Sequence, residues 1–316
     1  MRRSGEEVRA PGRAYARRAP SGRTRRARLA PLGAALTLLA FGGCGEGVDE
    51  SPQATGGAQE TARTTLIELW SEDVPAFGVF VPSERERGAT GPDGERLPPL
   101  YSSAGGERLA QNPLLDYVFL NLEYAYDASA VTEIAAGLVS PNATSEKSLL
   151  VRIPPISADG EDAARQRVVE ALAAGADGIV LPHVRSPDEA RMAVSFFEAA
   201  GADVWSPANP DGTVIAMLMI EDPGALAAAE EIANVPGYSV LACGIGSLSQ
   251  ALGSREEGEA GNQEVLAQAK RVGLPDMITA NAEDVAQRIE EGFLGLLMSG
   301  PEADAAITVG RAAAGR

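Results

Sequence analysis

Cysteine, histidine and aromatic residues are all scarce in this 316-residue chain, which has two cysteines, one histidine and 5% aromatics. If Cys44 is lipidated, Cys243 has no disulfide partner, and there is no paired C-x-x-C to hold a structural metal. With His183 as the only histidine, a Ser-His-Asp triad could be built in one place only. No Walker loop, G-x-S-x-G turn or H-E-x-x-H helix occurs, so the motif-borne chemistries of nucleotide hydrolysis, serine hydrolysis and zinc proteolysis have no support. Positive charge is also scarce beyond residue 43. Ten of the 27 basic residues precede Cys44, leaving 17 basic against 42 acidic residues and a formal balance near −25. Such a surface repels nucleic-acid backbones and anionic membranes, and neither is expected as a partner of the folded domain.

The basic residues gather at the front. An arginine-rich stretch to Arg28 leads into a thirteen-residue apolar run, Leu29 to Phe41, closed by Gly42-Gly43-Cys44. That is a signal-peptide layout with a run too short to span a bilayer, followed by small residues before a cysteine, as in the lipobox of bacterial lipoproteins. Residues 1–43 are read as the signal, Cys44 as the lipidation site and residues 44–64, rich in Gly, Ser, Thr, Gln and Glu, as a flexible tether. The domain is then expected outside the cytoplasm, with a lipid anchor as its only membrane contact. An upstream start codon that only mimics a signal is the alternative, and it leaves the domain cytoplasmic. Cys243 lies in an apolar run, Val240-Leu241-Ala242, and reads as a small core residue.

From Phe77 onward, short β-rich runs alternate with longer stretches of helical period. Eight strands are expected, at 77–81, 117–121, 149–153, 178–181, 214–220, 239–244, 276–279 and 295–298. Runs such as Ile215-Ala216-Met217-Leu218-Met219-Ile220 are apolar without alternation, so both faces of the strand are covered, as in a parallel sheet flanked by helices. Helices are expected at 161–174 and 187–200, stopped by Gly175 and Gly201. Eight βα units in a domain spanning residues 65–316 give a TIM (β/α)₈ barrel, with an open doubly wound sheet as the alternative. Chemistry in such a barrel belongs to the loops after the strands. The irregular segment 82–106 after the first strand is either a lid or a disordered excursion.

Five strand-end segments carry a resemblance. They are Asn121-Leu122-Glu123-Tyr124, Arg152-Ile153-Pro154, Gly175 to Val184, Ile220-Glu221-Asp222-Pro223 and Gly244-Ile245-Gly246-Ser247-Leu248-Ser249. Their order and spacing on consecutive strands resemble the HpcH/HpaI aldolase and citrate-lyase β superfamily over roughly residues 76–311. The resemblance implies a pyruvate-type lyase in which a divalent metal, Mg²⁺ or Mn²⁺, chelates a small 2-oxo acid. It also implies an arginine that neutralises an enolate, and chains that are commonly homo-oligomers. Carried over residue by residue, Arg152 stands at the enolate-stabilising position and Glu221 at the metal-binding one. Glu123 keeps an acidic position that could supply a second metal oxygen.

The departures are equally specific. Ser247 stands where the resemblance calls for a metal-binding Asp, Tyr124 where it calls for the catalytic His, Asn121 and Ala173 where it calls for Asp. Tyr124 remains a candidate proton donor, although a phenol with its ordinary pKa near ~10 is a reluctant base. His183, at a strand end, is a candidate replacement base or a structural histidine. The Gly244-Ile245-Gly246-Ser247 turn could offer backbone N–H groups and a hydroxyl to a carboxylate. The plainer readings are a rim ion pair for Arg152 and, for Glu221, a buried carboxylate paired with Arg152. Asp222 should face away from Glu221 along the strand and is a poor second ligand. Two functions stand: a metal-assisted carbon–carbon lyase, and a non-catalytic carboxylate-binding lipoprotein on the same barrel.

Overall fold

A computed structural model describes residues 65–316. The expected signal, Cys44 and the tether lie outside the described residues. Eight strands follow in order: β1 Ala76–Phe80, β2 Tyr117–Asn121, β3 Ser148–Arg152, β4 Gly178–Leu181, β5 Ile215–Ile220, β6 Val240–Cys243, β7 Met277–Thr279 and β8 Gly295–Met298. All pairings are parallel, in the order β6-β5-β4-β3-β2-β1-β8-β7. Between the two ends of that order, the Leu241 N–H donates to the Pro275 carbonyl at 3.3 Å, so the ring is nearly closed. The TIM-type barrel expected from the sequence is therefore the fold, with strand ends displaced by no more than a residue or so.

Twelve helices are present among the described residues. They are α1 Thr65–Ser71, α2 Ser103–Ala110, α3 Ala128–Leu138, α4 Ile156–Asp159, α5 Glu161–Ala173 and α6 Pro187–Ala199. The rest are α7 Pro223–Ala227, α8 Ala229–Ala233, α9 Ile245–Leu252, α10 Arg255–Val272, α11 Val285–Glu291 and α12 Ala303–Ala313. Their starts are chemically marked. Ser186 caps α6 by accepting from the Glu189 N–H at 3.2 Å, Pro187 fills the first helical position, and Glu189 reaches back to the Arg185 N–H at 2.8 Å. Gly175 and Gly201 follow α5 and α6 at φ 103° and 66°, the left-handed conformation in which glycine carries no steric cost. No helix among the described residues is long and apolar enough to cross a membrane.

Strand alternation divides the apolar residues into two layers. Ala76, Tyr117, Phe119, Leu150, Val180, Ile215, Met217, Met219, Val240, Ala242 and Leu297 face one another inside the ring. Phe77, Val118, Leu120, Val151, Ile179, Leu218 and Leu241 face outward and bury the apolar stripes of the helices. The lower end of the ring, where the strands begin, is plugged by α1, an element the sequence reading did not anticipate. Leu66, Ile67 and Trp70 join the inner layer there. The Trp70 indole donates to the Leu294 carbonyl at 2.9 Å and stacks on Trp205 with centroids 6.3 Å apart.

The long segment after β1 is neither strand nor helix up to residue 102, yet it is tied to itself. The Leu100 N–H donates to Ser83 Oγ at 3.1 Å, the Glu84 N–H to the Leu100 carbonyl at 2.9 Å, and Thr90 bridges Arg96. It forms an Ω-type loop, one wall of a cleft of about 810 Å³ completed by Asn121, Tyr124 and Tyr126.

At the lower entrance to β4, Asp177 accepts from the Leu149 N–H at 2.7 Å. Burial pushes its carboxyl up to about 6, against that backbone hydrogen bond and with the Glu146 charge adding to the rise. A folded-state pKa above the unfolded value means that stability is lost as pH rises from about 4 through 6. Asp177→Asn is therefore expected to be more stable than the parent at pH 7 to 8, by on the order of 2 kcal/mol. The gap should close toward pH 4 in urea unfolding measured across that range; a gap independent of pH would contradict the assignment.

Candidate active site at the barrel mouth

The residues at the upper ends of the strands follow from the same alternation. Leu150 points into the ring, so Arg152 does too, and Met217 and Met219 set the parity that turns Glu221 inward. Asp222 falls on the other side, where its carboxylate accepts from the Ala225 N–H at 2.9 Å and caps α7. Register brings β2 and β3 level, with Asn121 opposite Arg152, and sets Glu123 two residues beyond.

These positions converge on a compact cluster. Arg152 Nη2 donates to Glu123 Oε1 at 2.9 Å and to Glu221 Oε2 and Oε1 at 2.9 and 3.1 Å. His183 Nε2 lies 3.2 Å from Glu123 Oε1 and 3.6 Å from Glu221 Oε2, and the His183 backbone N–H donates to Glu221 Oε2 at 3.0 Å. Glu221 is 2% exposed and Glu123 7%. The pairing of a buried Glu221 with Arg152, the plainer of the two sequence readings, is the contact seen. It does not stand alone, because the same guanidinium also holds Glu123.

The electrostatics explain how two buried carboxylates coexist. Burial alone would raise Glu123. The hydrogen bond from His183 and the charges of Arg152 and His183 outweigh it, leaving Glu123 below the ordinary carboxylate range. His183 is raised by its hydrogen bond to Glu123; burial opposes this, the Glu221 and Glu123 charges add to it, and Arg152 again opposes. The outer face of the site holds Cys243, whose thiol is pushed up by burial and is no ready nucleophile.

Below the cluster lies a pocket of about 250 Å³. Arg152, Glu221 and, next to Glu221, the turn of Gly244, Ile245, Gly246 and Ser247 line it. Its floor is apolar, made of Phe80, Phe119, Met217, Met219, Met277 and Leu297. Sequence reasoning named the polar residues and missed this floor, although inward parity along β1, β2, β5, β7 and β8 marks each of those positions. Tyr124 stands apart at the rim, 90% exposed, lining the cleft beneath the Ω-type loop. Ala173 lies at the end of α5, away from the mouth.

Glu123, His183 and Glu221 offer donor atoms that all lie within 4.8 Å of one another, the one such grouping among the described residues. Two carboxylates and an imidazole are a chemically sound donor set for a divalent ion. Of the five residues that the sequence assigned to catalysis or metal binding, Arg152, Glu123, His183 and Glu221 thus stand together, and the fifth, Tyr124, lies outside the cluster at the rim.

Residues 110–296 match the HpcH/HpaI aldolase/citrate lyase family, more than half of the chain. The chain belongs to that family. Solved structures agree on the fold. A HpcH/HpaI aldolase/citrate lyase family protein from Burkholderia cenocepacia J2315 is 20% identical, with a TM-score of 0.58 over 79% of this chain and 97% of that one. HpcH/HpaI aldolase from Desulfitobacterium hafniense DCB-2 is 21% identical, with a TM-score of 0.57 over 79% and 95%. A citrate lyase β subunit from M. tuberculosis, complexed with oxaloacetate and magnesium, is 17% identical, with a TM-score of 0.51 over 76% and 97%. No curated protein matches the sequence. At these identities the chain is a divergent member of its family.

Gly244 has a role of its own in this member. A Cβ there would lie 2.1 Å from Glu221 Oε1 and 2.5 Å from Glu221 Cδ, so only glycine leaves room for the carboxylate. Gly246, two residues on, has nothing within 4 Å of its Cβ position and sits in α9. Gly244→Ala is expected to lose about 1–3 kcal/mol by overpacking, while Gly246→Ala stays within about 1 kcal/mol of the parent or gains from helix propensity. Chemical denaturation of the two variants checks this, and equal losses would contradict the packing of Glu221 against Gly244.

Proposed function

We propose that this protein is a carbon–carbon lyase of the aldolase type, acting on a small 2-oxo or hydroxy acid with a divalent ion, Mg²⁺ or Mn²⁺, held at Glu221 and Glu123. The observation that carries the reading is one guanidinium set between two buried carboxylates at the edge of a small pocket with an apolar floor. When bound, the ion would supply a Lewis acid toward a ketone oxygen and a counter-charge for a substrate carboxylate.

The chain's own residues account for the remainder. Arg152 presents a planar positive fork whose charge is fixed in place before reaction, so a developing enolate oxygen gains without reorganisation of the site. The apolar floor excludes water and strengthens that attraction. Ser247 and the backbone of Gly246, in the first turn of α9, line the pocket and suit the carboxylate end of a small acid. Tyr124, at the rim beside Glu123, is the phenol available to protonate the enolate carbon once the C–C bond has broken and the hydroxyl of the departing carbonyl fragment has lost its proton. We place the domain outside the cytoplasm on a lipid anchor at Cys44, a reading that rests on the sequence of residues 1–44 alone.

A second reading draws on a specific observation: the guanidinium that would meet a substrate is already neutralised by Glu123 and Glu221. On that reading the chain is a small-carboxylate-binding protein without turnover. The two separate in one assay series, using the parent, Glu221→Ala and Arg152→Ala with Mg²⁺ or Mn²⁺ and a panel of 4-hydroxy-2-oxo acids. Metal-dependent release of pyruvate by the parent, reduced by about 100-fold or more in each variant, is the expected result. Thermal stabilisation of the parent by pyruvate or oxaloacetate with no turnover on any substrate would refute the lyase and leave the binding protein.

A further inference from the structure

We infer that His183 is a metal ligand, so that the site binds its ion through one imidazole nitrogen and two carboxylates and prefers a first-row transition ion to Mg²⁺. The inference rests on the metal-assisted reading above and adds to it the class of ion.

The backbone of His183 is the first observation. Its φ is 53°, one of two left-handed non-glycine residues among the described ones. A residue with a Cβ is uncommon in that region and is held there only when its surroundings enforce it. At the end of β4 the surroundings do so from two directions. The backbone N–H donates to Glu221 Oε2 at 3.0 Å, and the turn swings the ring to 3.2 Å from Glu123 Oε1. Any residue but proline could make the first bond, and glycine would do so without strain. The second contact needs a side chain of this length with a nitrogen at its end.

Spacing is the second observation. Two ligand atoms adjacent on an ion with bonds of about 2.1 Å lie about 3 Å apart. His183 Nε2 is 3.2 Å from Glu123 Oε1 and 3.6 Å from Glu221 Oε2, close to that separation before any ion is present. The turn after β6, Gly244 to Ser247, contributes a hydroxyl and backbone groups but no carboxylate. A donor set of two carboxylates and one imidazole suits Mn²⁺, Fe²⁺, Co²⁺ or Zn²⁺ better than Mg²⁺, which demands oxygen ligands and keeps several waters.

Arg152 is compatible with such an ion. It holds the carboxylates through a single nitrogen, Nη2, while its buried Nε has no partner. An ion competing for the same oxygens displaces one nitrogen, and the other donors of the fork are then free to face an anionic ligand.

The test uses the full chain and metal ions alone. Pulsed EPR of the Mn²⁺-loaded parent should show ¹⁴N modulation from one coordinated imidazole, and titration calorimetry should show Co²⁺ binding more tightly than Mg²⁺. His183→Asn, in which asparagine tolerates the left-handed backbone, should fold with an unchanged thermal transition or nearly so. It should lose the ¹⁴N signal and lower the Co²⁺ to Mg²⁺ affinity ratio by about tenfold or more. Mn²⁺ bound without ¹⁴N modulation, or an unchanged affinity ratio in His183→Asn, overturns the inference and leaves a metal site made of carboxylates. A parent that binds neither Mn²⁺ nor Co²⁺ overturns the inference and the metal-assisted reading together.

Discussion

Glu123 and Glu221 approach each other closely enough at the barrel mouth to repel strongly, and one arm of Arg152 holds them together. Two like charges within 4.8 Å cost about 3 kcal/mol at an effective dielectric near 20. Neither carboxylate is exposed enough for water to relieve that cost. Arg152 Nη2 touches both at 2.9 Å, and the ring and backbone of His183 add a contact to each. Removing the guanidinium would leave two buried acids facing each other, so the position of every polar group in the pocket depends on it.

The rest of the molecule serves to bring those groups to one point. Inward parity turns Arg152 and Glu221 into the ring, the β2–β3 register sets Glu123 alongside, and the left-handed turn at His183 brings in the fourth group. Gly244 leaves the space that the Glu221 carboxylate fills. At the opposite end α1 and the Trp70–Trp205 stack close the ring, so the pocket opens only at the end where loops can vary. The chain shares this architecture with the HpcH/HpaI aldolase/citrate lyase family and differs from the pattern of its resemblance at Asn121, Tyr124, Ala173 and Ser247. The four-residue cluster is how this member keeps a charged mouth despite those changes.

Much of this was legible in the residues. Apolar runs bounded by glycine and capping residues are local signals, and all eight strands could be placed from them. Arg152, Glu221 and Glu123 could be named because they stand at charged positions of the family that the strand ends resemble, and Glu221 also because a lone carboxylate ending an apolar strand stands out. Other features depend on contacts distant in sequence. Helix α1 is seven residues long, and its reason for forming is the open lower end of the ring, to which Leu66 and Trp70 are fitted. The contacts of His183 depend on a φ that no propensity predicts, in a loop whose partners lie 38 and 60 residues away. Tyr124 follows Glu123 in sequence, yet at the rim it faces outward into a cleft made by the 82–102 loop, whose fold local signals do not fix.

The most direct measurement is a double-mutant cycle on Arg152→Ala and Glu221→Gln, read as unfolding free energies in the absence of metal. The predicted result is strong non-additivity, a coupling of about 2 kcal/mol or more, because each group is costly to bury without the other. Effects that add to within about 0.5 kcal/mol would mean that the guanidinium and the carboxylate do not depend on each other, and the arrangement of the barrel mouth described above would be wrong.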